Sequence, residues 1–273
     1  MTVILYLFII IFGLIIGSFL NVVILRFNTG RKLDGRSHCL ACSKTLGWQE
    51  LIPVWSFLQQ QGKCKHCQTN ISKQYIAVEI VTAIIFALVF WRGMQDIGLD
   101  NYFGLIRFLI ASFTIVSILL VIAVYDLRHK IIPDNLVYAL VAVSALNIFI
   151  IDLGVGIEEV VWLVHGLFSG ALLFFAFWAL WHYSDGRLMG LGDGKLVFAL
   201  GLWLGFKLAF AGIFLSFILG AIMGLALMYI PRYVKLPPAL KKINFKTEIP
   251  FATFLVLGAL ISFILNFDVF SLF

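Results

Sequence analysis

Long apolar runs, separated by short polar segments, cover most of the chain. A helix that crosses the roughly 30 Å hydrocarbon core of a bilayer needs about 20 predominantly apolar residues. Eight runs reach or approach that length, at residues 2–25, 76–91, 103–125, 134–151, 160–183, 193–206, 208–230 and 250–270. The pattern predicts an all-α polytopic membrane protein with about eight transmembrane helices, in contact with a lipid bilayer.

One polar segment, residues 26–75, is long enough to hold structure of its own. We therefore expect three parts: a first transmembrane helix at 1–25, a small cytoplasmic loop domain at 26–75, and a seven-helix membrane region at 76–273. The first apolar run has no basic residues before it and no small-residue cleavage site. It is therefore interpreted as a retained span and not as a signal peptide.

The composition agrees with a membrane protein, since 62% of the residues are hydrophobic and only 12% are charged. The formal net charge of +6 does not require a nucleic-acid partner. The basic residues concentrate in alternate connections, at 26–74, 126–133 and 231–249, whereas 92–102 and 152–159 together hold only Arg92. By the positive-inside rule the basic connections face the cytoplasm, which places both termini outside.

All four cysteines lie in the loop at 26–75, in two Cys-x-x-Cys pairs: Cys39, Cys42, Cys64 and Cys67. Two such pairs suit a tetrahedral zinc site. Two disulfides or four free thiols are the alternatives, and a cytoplasmic loop disfavours disulfides. His38 and His66 flank the pairs and are expected to be neighbours of the site. Four thiolates leave no open coordination position, so the zinc is predicted to be structural.

Two acidic residues lie at ends of predicted spans on the same side of the membrane. Asp126 ends the third span and Asp193 opens the sixth. Two carboxylates that share a site can share a proton, so that one activates a water while the other donates to a carbonyl oxygen. That is the chemistry of an aspartic protease. The alternatives are a helix N-cap for Asp193 and a pairing of Asp126 with Arg128 or Lys130.

Glycines surround the second acid in the stretch MGLGDGKL, residues 189–196. Gly190, Gly192 and Gly194 remove side-chain bulk beside Asp193 and permit positive φ, so that the backbone and a substrate can approach the carboxylate. Asp134, which follows Pro133 at the start of the fourth span, is expected to begin a helix and not to act as a third catalyst.

In their order and spacing these segments resemble the bacterial type IV prepilin peptidases, leader peptidases of the GxGD class of intramembrane aspartic proteases. The resemblance covers nearly the whole chain. The segments that carry it are Gly17-Ser-Phe-Leu-Asn-Val-Val-Ile24, the double Cys-x-x-Cys loop with Ile52-Pro53 and Gly62-Lys63-Cys64, Ile71-Ser72 leading to Glu79, Asp126-Leu-Arg128, Ile132-Pro133-Asp134, and Met189-Gly-Leu-Gly-Asp193 with Lys195-Leu196.

The resemblance implies that Asp126 and Asp193 are the catalytic pair. It implies cleavage of prepilins and pseudopilins at the cytoplasmic side of the bacterial inner membrane, after a glycine that ends a short basic leader. It also implies methylation of the new N-terminal amine with S-adenosylmethionine as donor, an activity associated with the cysteine-loop half. No oligomeric state follows from it.

Glu79 is the candidate residue for the methyl-donor or methyltransferase site, because an acid near the start of a span requires a reason. A pairing with Lys73 or Arg26 is its alternative. Gln74-Tyr75-Ile76 stands where Arg-Tyr-Pro is common in the family, and Phe27-Asn28 stands where Leu-Pro is common. A leader peptidase without methyltransferase activity therefore remains an alternative.

Two functions from other classes also remain open. An ion-coupled transporter would use the two acids to bind its coupling ion and would have broken spans in matching positions of two repeated halves. A peptidase-like assembly protein would bind pilins without cutting them.

Overall fold

The computed structural model describes residues 2–29, 35–151, 157–233 and 250–272. Regular structure over these ranges is helical, and two isolated bridges, His38 with Thr45 and Lys63 with Asn70, are the β-type pairings. The helices are α1 (Thr2–Arg26), α2 (Trp55–Gln59), α3 (Gln74–Asp96), α4 (Tyr102–His129), α5 (Asp134–Ile151), α6 (Ile157–Tyr183), α7 (Leu191–Tyr233) and α8 (Phe251–Leu265), with 3-10 turns at Trp48–Leu51 and Val269–Leu272.

Five helical segments in the described ranges are long and apolar enough to cross a membrane: Thr2–Arg26, Gln74–Asp96, Tyr102–His129, Val161–Tyr183 and Leu191–Ala226. Asp134–Asn147 and Phe251–Leu265 are shorter apolar helices. The chain is thus an all-α multi-pass membrane protein, as predicted. The predicted count of eight spans is not confirmed.

The predicted sixth and seventh spans, 193–206 and 208–230, lie within the one helix α7. The helix is interrupted at Gly205, whose φ of 70° and ψ of 174° are not helical. This backbone region is accessible essentially only to glycine. A kink therefore stands close to the point where the apolar pattern predicted a boundary between two helices.

The chain forms two compact units, Met1–Ser117 and Ile118–Phe273, whose boundary falls within α4. In the first unit, α1 packs closely on α3 through small residues. A Cβ added to Gly13 would lie 2.7 Å from the Cα of Ala83, and one added to Gly17 would lie 2.7 Å from the Cα of Glu79. Helices in membranes associate through such close approach of their backbones.

In the second unit, α7 packs against α5, α6 and α8. Glycines again allow neighbouring helices to approach closely. A Cβ on Gly201 would lie 2.7 Å from the Cα of Gly170 on α6. A Cβ on Gly258 of α8 would overlap the carbonyl oxygen of Gly212 on α7. The backbone of α7 therefore lies close to those of α6 and α8.

Some predictions concern residues that the structure does not describe. These are Arg31 and Lys32 in the basic loop, the acidic connection at 152–156, and residues 234–249 of the predicted basic connector. The division into parts at 1–25, 26–75 and 76–273 stays a prediction.

Candidate active site and candidate metal centre

Asp126 lies in the last turn of α4, and its side chain is buried, with 4% of its surface exposed. The backbone N–H of Thr253 donates to its Oδ2 at 3.3 Å, and the backbone of Ala252 also interacts with the carboxylate. Both residues belong to the first turn of α8, which follows Pro250. The first N–H groups of a helix have no acceptor within the helix and interact favourably with negative charge. The start of α8 therefore supplies hydrogen-bond donors to Asp126.

The side chain of Thr253 makes a second tie between these helices. Its Oγ1 donates to the carbonyl oxygen of Ala123 at 3.1 Å, three residues before Asp126. Thr253 thus holds the first turn of α8 against the last turns of α4. Sequence reasoning missed this residue, and the one local signal was Pro250 immediately before an apolar run.

Asp193 occupies the third position of α7, which begins at Leu191. Its Oδ2 accepts a hydrogen bond from the backbone N–H of Gly190 at 3.2 Å, and its own N–H donates to the carbonyl oxygen of Gly190, also at 3.2 Å. This is the arrangement of an acid at the third helical position that reaches back to the residue before the helix. Asp193 is therefore not the N-cap of this helix. Gly190 holds the N-cap position, and Asp193 lies three residues further along the chain.

The structure brings the two predicted acids together. The carboxylates of Asp126 and Asp193, 67 residues apart in sequence, are close enough to interact electrostatically. Among the described residues, no ion pair joins Asp126 to Arg128 or Lys130. A pair of carboxylates within one site can divide the roles of proton acceptor and proton donor.

The glycines beside Asp193 provide space and do not use positive φ. None of Gly190, Gly192 and Gly194 is among the described glycines with positive φ, so that part of the prediction is wrong. A Cβ on Gly192 would lie 3.3 Å from the Cβ of Ile132, between α4 and α5. The absence of a side chain at Gly192 therefore lets the start of α7 approach the segment that follows Asp126.

Asp134 is the first residue of α5, as predicted, and its Oδ1 lies 2.8 Å from the Nζ of Lys195. The ion pair ties the start of α5 to the first turns of α7. Lys195 was quoted in the resemblance, but sequence reasoning gave it no partner.

The four cysteines form one cluster. Their Sγ atoms lie within 4.8 Å of one another, those of Cys39 and Cys67 are 3.8 Å apart, and all four are free thiols. A zinc ion about 2.3 Å from each sulfur would hold the sulfurs about 3.8 Å apart in a tetrahedron. The cluster could therefore hold a metal ion, and neither His38 nor His66 belongs to it.

The two Cys-x-x-Cys turns are built alike. In each turn, the backbone N–H of the first cysteine donates to the carbonyl oxygen of the fifth residue after it. The fourth residue after the cysteine has a left-handed backbone, and its N–H donates to the carbonyl oxygen of the cysteine. The pairs are Cys39 with Lys44 and Ser43 (φ 58°), and Cys64 with Thr69 and Gln68 (φ 57°). This local repeat was not found in the sequence, because the residues that follow the cysteines differ.

Hydrogen bonds favour the thiolate form at two of the sulfurs. The side chain of Thr69 lowers the pKa of Cys67 to about 6, and the backbone of Cys42 lowers the pKa of Cys39. Cys42 accepts a hydrogen bond from the backbone of Lys44, which lowers its pKa, but burial and the neighbouring thiols raise it to about 11. Thiolates are the metal-binding form of cysteine. A cation between the sulfurs would offset the mutual repulsion of the thiolates and so favour deprotonation of all four cysteines.

Glu79 lies near the start of α3 and is buried, with 7% of its surface exposed. Its Oε2 accepts a hydrogen bond from the backbone N–H of Val54 at 2.7 Å, and the hydroxyl of Ser18 also interacts with it. Among the described residues, the hydrogen-bond donors to this carboxylate are thus neutral, whereas the alternative from the sequence was a pairing with Lys73 or Arg26. Val54 has a φ of 60°, which is unusual for a β-branched residue.

The fold and these side chains define a multi-pass helical membrane protein with a pair of electrostatically interacting carboxylates and a four-cysteine cluster. Two family models match the chain: the bacterial peptidase A24 N-terminal domain over residues 11–93, and the type IV leader peptidase family over residues 113–225. The chain belongs to the type IV leader peptidase family. Asp126 and Asp193 both lie in the second matched region, and the cysteines and Glu79 lie in the first.

Curated relatives cover most of the chain. A prepilin leader peptidase/N-methyltransferase of Bacillus subtilis is 31% identical over 263 residues, which are 96% of this chain and 94% of the relative. Proteins with the same name from Pectobacterium carotovorum and Pseudomonas aeruginosa are 29% and 28% identical, over 93% of this chain and 91% and 88% of their own lengths. No solved structure matches the chain.

Proposed function

We propose that this protein removes the short basic leader from type IV prepilins and pseudopilins by an aspartic protease mechanism. The observation that carries the proposal is the proximity of Asp126 and Asp193, which come from two helices far apart in the sequence. The relatives named as prepilin leader peptidase/N-methyltransferase support the same activity and the choice of substrate. The basic loop at 26–74 supports a cytoplasmic site in the bacterial inner membrane.

The geometry suggests a division of roles between the two acids. Asp126, which accepts hydrogen bonds from the start of α8, takes a proton from the attacking water. Asp193 donates its proton to the carbonyl oxygen of the scissile peptide bond as the water oxygen bonds to the carbonyl carbon. The carbon–nitrogen bond then breaks, the leaving nitrogen takes up the proton held by Asp126, and a hydroxyl of the tetrahedral intermediate returns a proton to Asp193.

The test is cleavage of a prepilin by the purified full-length protein in detergent, read as the loss of the leader mass. Asp126→Asn and Asp193→Asn keep the shape of each side chain and remove its ionisable oxygen, so each is expected to abolish cleavage. Asp185→Asn is the matched control, because Asp185 is exposed in a turn with φ 50°, a conformation that asparagine tolerates. Wild-type cleavage by Asp193→Asn would refute the assignment.

The protein is further proposed to methylate the new N-terminal amine with S-adenosylmethionine, with Glu79 at the methyltransferase site. The support is the buried carboxylate of Glu79 within the region matched by the N-terminal domain model, together with the double name of the relatives. With the donor present, the cleaved product should gain the mass of one methyl group, and Glu79→Gln should remove this gain but leave cleavage intact. Cleavage without any gain in mass would indicate a leader peptidase only.

The four cysteines are proposed to hold one structural zinc ion. The spacing of their sulfurs fits the tetrahedral geometry of zinc, and four protein ligands leave no position for a substrate. Bound zinc would organise the loop and would take no part in cleavage. Metal analysis of the purified protein should find about one zinc per chain.

A further inference from the structure

A cluster of polar side chains between α1 and α3 has no role in the proposed cleavage. It consists of Ser18 and Asn21 on α1 and Glu79 on α3, all within the first compact unit. Ser18 and Asn21 belong to the segment Gly17–Ile24, which contributed to the family resemblance but was given no task. Polar groups inside membrane helices are costly and mark functional sites by default.

Asn21 contributes an acceptor that lacks a donor. The residue is 1% exposed, and its Nδ2 donates to the carbonyl oxygens of Gly17 at 3.3 Å and Tyr75 at 3.0 Å. Two carbonyl acceptors fix which end of the amide is the nitrogen. The Oδ1 has no hydrogen-bond partner among the described residues. A buried acceptor left in this way is unfavourable unless a donor binds there.

Glu79 belongs to the same contact between α1 and α3. Gly17 packs directly on the backbone of Glu79, and the hydroxyl of Ser18 interacts with the carboxylate. Asn21 lies one turn further along α1 and bonds to Tyr75, one turn before Glu79 on α3. A carboxylate has about four acceptor positions, and the donors to this one, the N–H of Val54 and the hydroxyl of Ser18, are neutral. The cluster therefore offers acceptors to a ligand that brings several N–H donors and a positive charge.

An apolar groove adjoins the cluster. It has a volume of about 430 Å³, and its lining includes Leu14, Val54, Ile80 and Ile84. Val54 is also the backbone donor to Glu79, and Ile80 follows Glu79 on α3. A ligand bound here would have a cationic head at the cluster and an apolar body in the groove.

We propose that Asn21 and Glu79 bind the N-terminal ammonium of an apolar peptide, the methyl acceptor, with its first side chains in this groove. This inference rests on the proposed methyltransferase activity and assigns the cluster to the acceptor side of it. The methyl donor is also cationic, and its amino-acid end carries an ammonium, but its polar nucleoside does not fit an aliphatic groove.

The cluster can also prepare the amine for reaction. An ammonium has no free electron pair, so it must first give up a proton, and the carboxylate of Glu79 is the acceptor in contact. The amine nitrogen then forms its bond to the methyl carbon as the carbon–sulfur bond breaks, and that electron pair leaves with the sulfur. The products are an N-methylammonium and a neutral thioether.

The test uses the full-length protein in detergent, a labelled sulfonium methyl donor and a peptide that begins with phenylalanine followed by apolar residues. Asn21→Ala is expected to raise the KM for the peptide at least tenfold and to change the KM for the donor less than twofold. Glu79→Gln is expected to lower methylation at least a hundredfold. Leader cleavage by the same preparations, retained within twofold, reports that the variants are folded.

Thr82→Val is the matched control. Thr82 is buried on α3 near Gly17, but its hydroxyl donates to the carbonyl of Val78 in its own helix at 2.7 Å. This variant should leave both KM values within twofold. A raised KM for the donor with an unchanged KM for the peptide, in Asn21→Ala, would assign the cluster to the donor and overturn the inference.

A second measurement needs no variant. Binding of a fluorescent peptide is competed with the same peptide carrying either a free or an acetylated N-terminus, and the acetylated peptide should bind at least tenfold more weakly. Equal binding of the two would overturn the inference. A wild-type protein that discriminates between these peptides but transfers no methyl group would refute the proposed methyltransferase activity and leave the ammonium site standing.

Discussion

At the scale of single residues, the hydroxyl of Thr253 is expected to matter for cleavage although it does not touch the substrate. It ties the first turn of α8 to Ala123, and the same turn supplies the N–H donor to Asp126. Thr253→Val keeps the shape and removes this tie, so kcat for leader cleavage should fall about tenfold, the equivalent of roughly one hydrogen bond. The KM for the prepilin should change little.

Thr253→Ser is the matched control for this effect. Serine keeps the hydroxyl and the backbone donor, so cleavage should return to within about twofold of the wild-type rate. Methylation of a peptide that has already been cleaved should be unaffected in both variants. If the valine and serine variants lost kcat equally, the hydroxyl would not be what positions Asp126.

The candidate catalytic residues could be found from the sequence because an acid in an apolar chain is conspicuous. Thr253, Val54 and the role of Asn21 could not, since their contributions are backbone donors and contacts that exist only once distant helices pack. The same limit applies to Gly192. A glycine is needed there because the Cβ of Ile132 lies close, and not because of the backbone angle of Gly192.

At the scale of elements, the kink in α7 gives a direct prediction. Gly205 has a φ and ψ that residues with a side chain avoid, and a Cβ there would meet nothing within 4 Å. Gly205→Ala should therefore destabilise the protein by about 1–3 kcal/mol through backbone strain alone. Thermal unfolding in detergent measures this loss.

Gly220 provides a control in the same helix. A Cβ at this position would have its nearest contact at 3.8 Å, and its φ is not positive. Gly220→Ala should be neutral or slightly stabilising, because alanine has the higher helix propensity. A loss of stability for Gly220→Ala as large as that for Gly205→Ala would remove backbone strain as the explanation.

The cysteine loop is the second element whose behaviour can be predicted. If one metal ion organises both turns, Cys64→Ser should reduce bound zinc from about one per chain to a small fraction and make residues 35–70 sensitive to protease. Ser43→Gly and Gln68→Gly should retain the metal, because glycine adopts the left-handed backbone that both positions have. Full zinc content in Cys64→Ser would exclude Cys64 as a ligand.

The sequence predicted the elements well where the apolar pattern was strong. The ends of α1, α3 and α4 agree with the predicted spans to within a few residues. Residues 193–230 were divided into two spans because hydropathy alone cannot show whether a helix continues through a glycine. The Cys-x-x-Cys pairs were evident from spacing, but the matching turns around them depend on backbone angles that several residue types can adopt.

At the scale of the whole molecule, the prediction concerns orientation. The basic loop at 26–74 is expected in the cytoplasm and both termini outside, which requires an even number of spans. In intact cells a thiol reagent that does not cross the membrane should fail to label Cys42, which is exposed, and should label it after permeabilisation and removal of the zinc with a chelator. Single cysteines introduced at Thr2 and at Phe270 should be labelled in both cases, since each lies near a terminus.

These accessibilities distinguish topologies that helix lengths leave open. Five helical segments qualify by length and composition, two shorter apolar helices accompany them, and α7 contains a kink. Labelling of Thr2→Cys but not of Phe270→Cys in intact cells would mean an odd number of crossings. It would also place the two termini on opposite sides and refute the eight-span arrangement. Labelling of Cys42 from outside would mean that the protein has the opposite orientation, with the proposed active site on the outer face of the membrane.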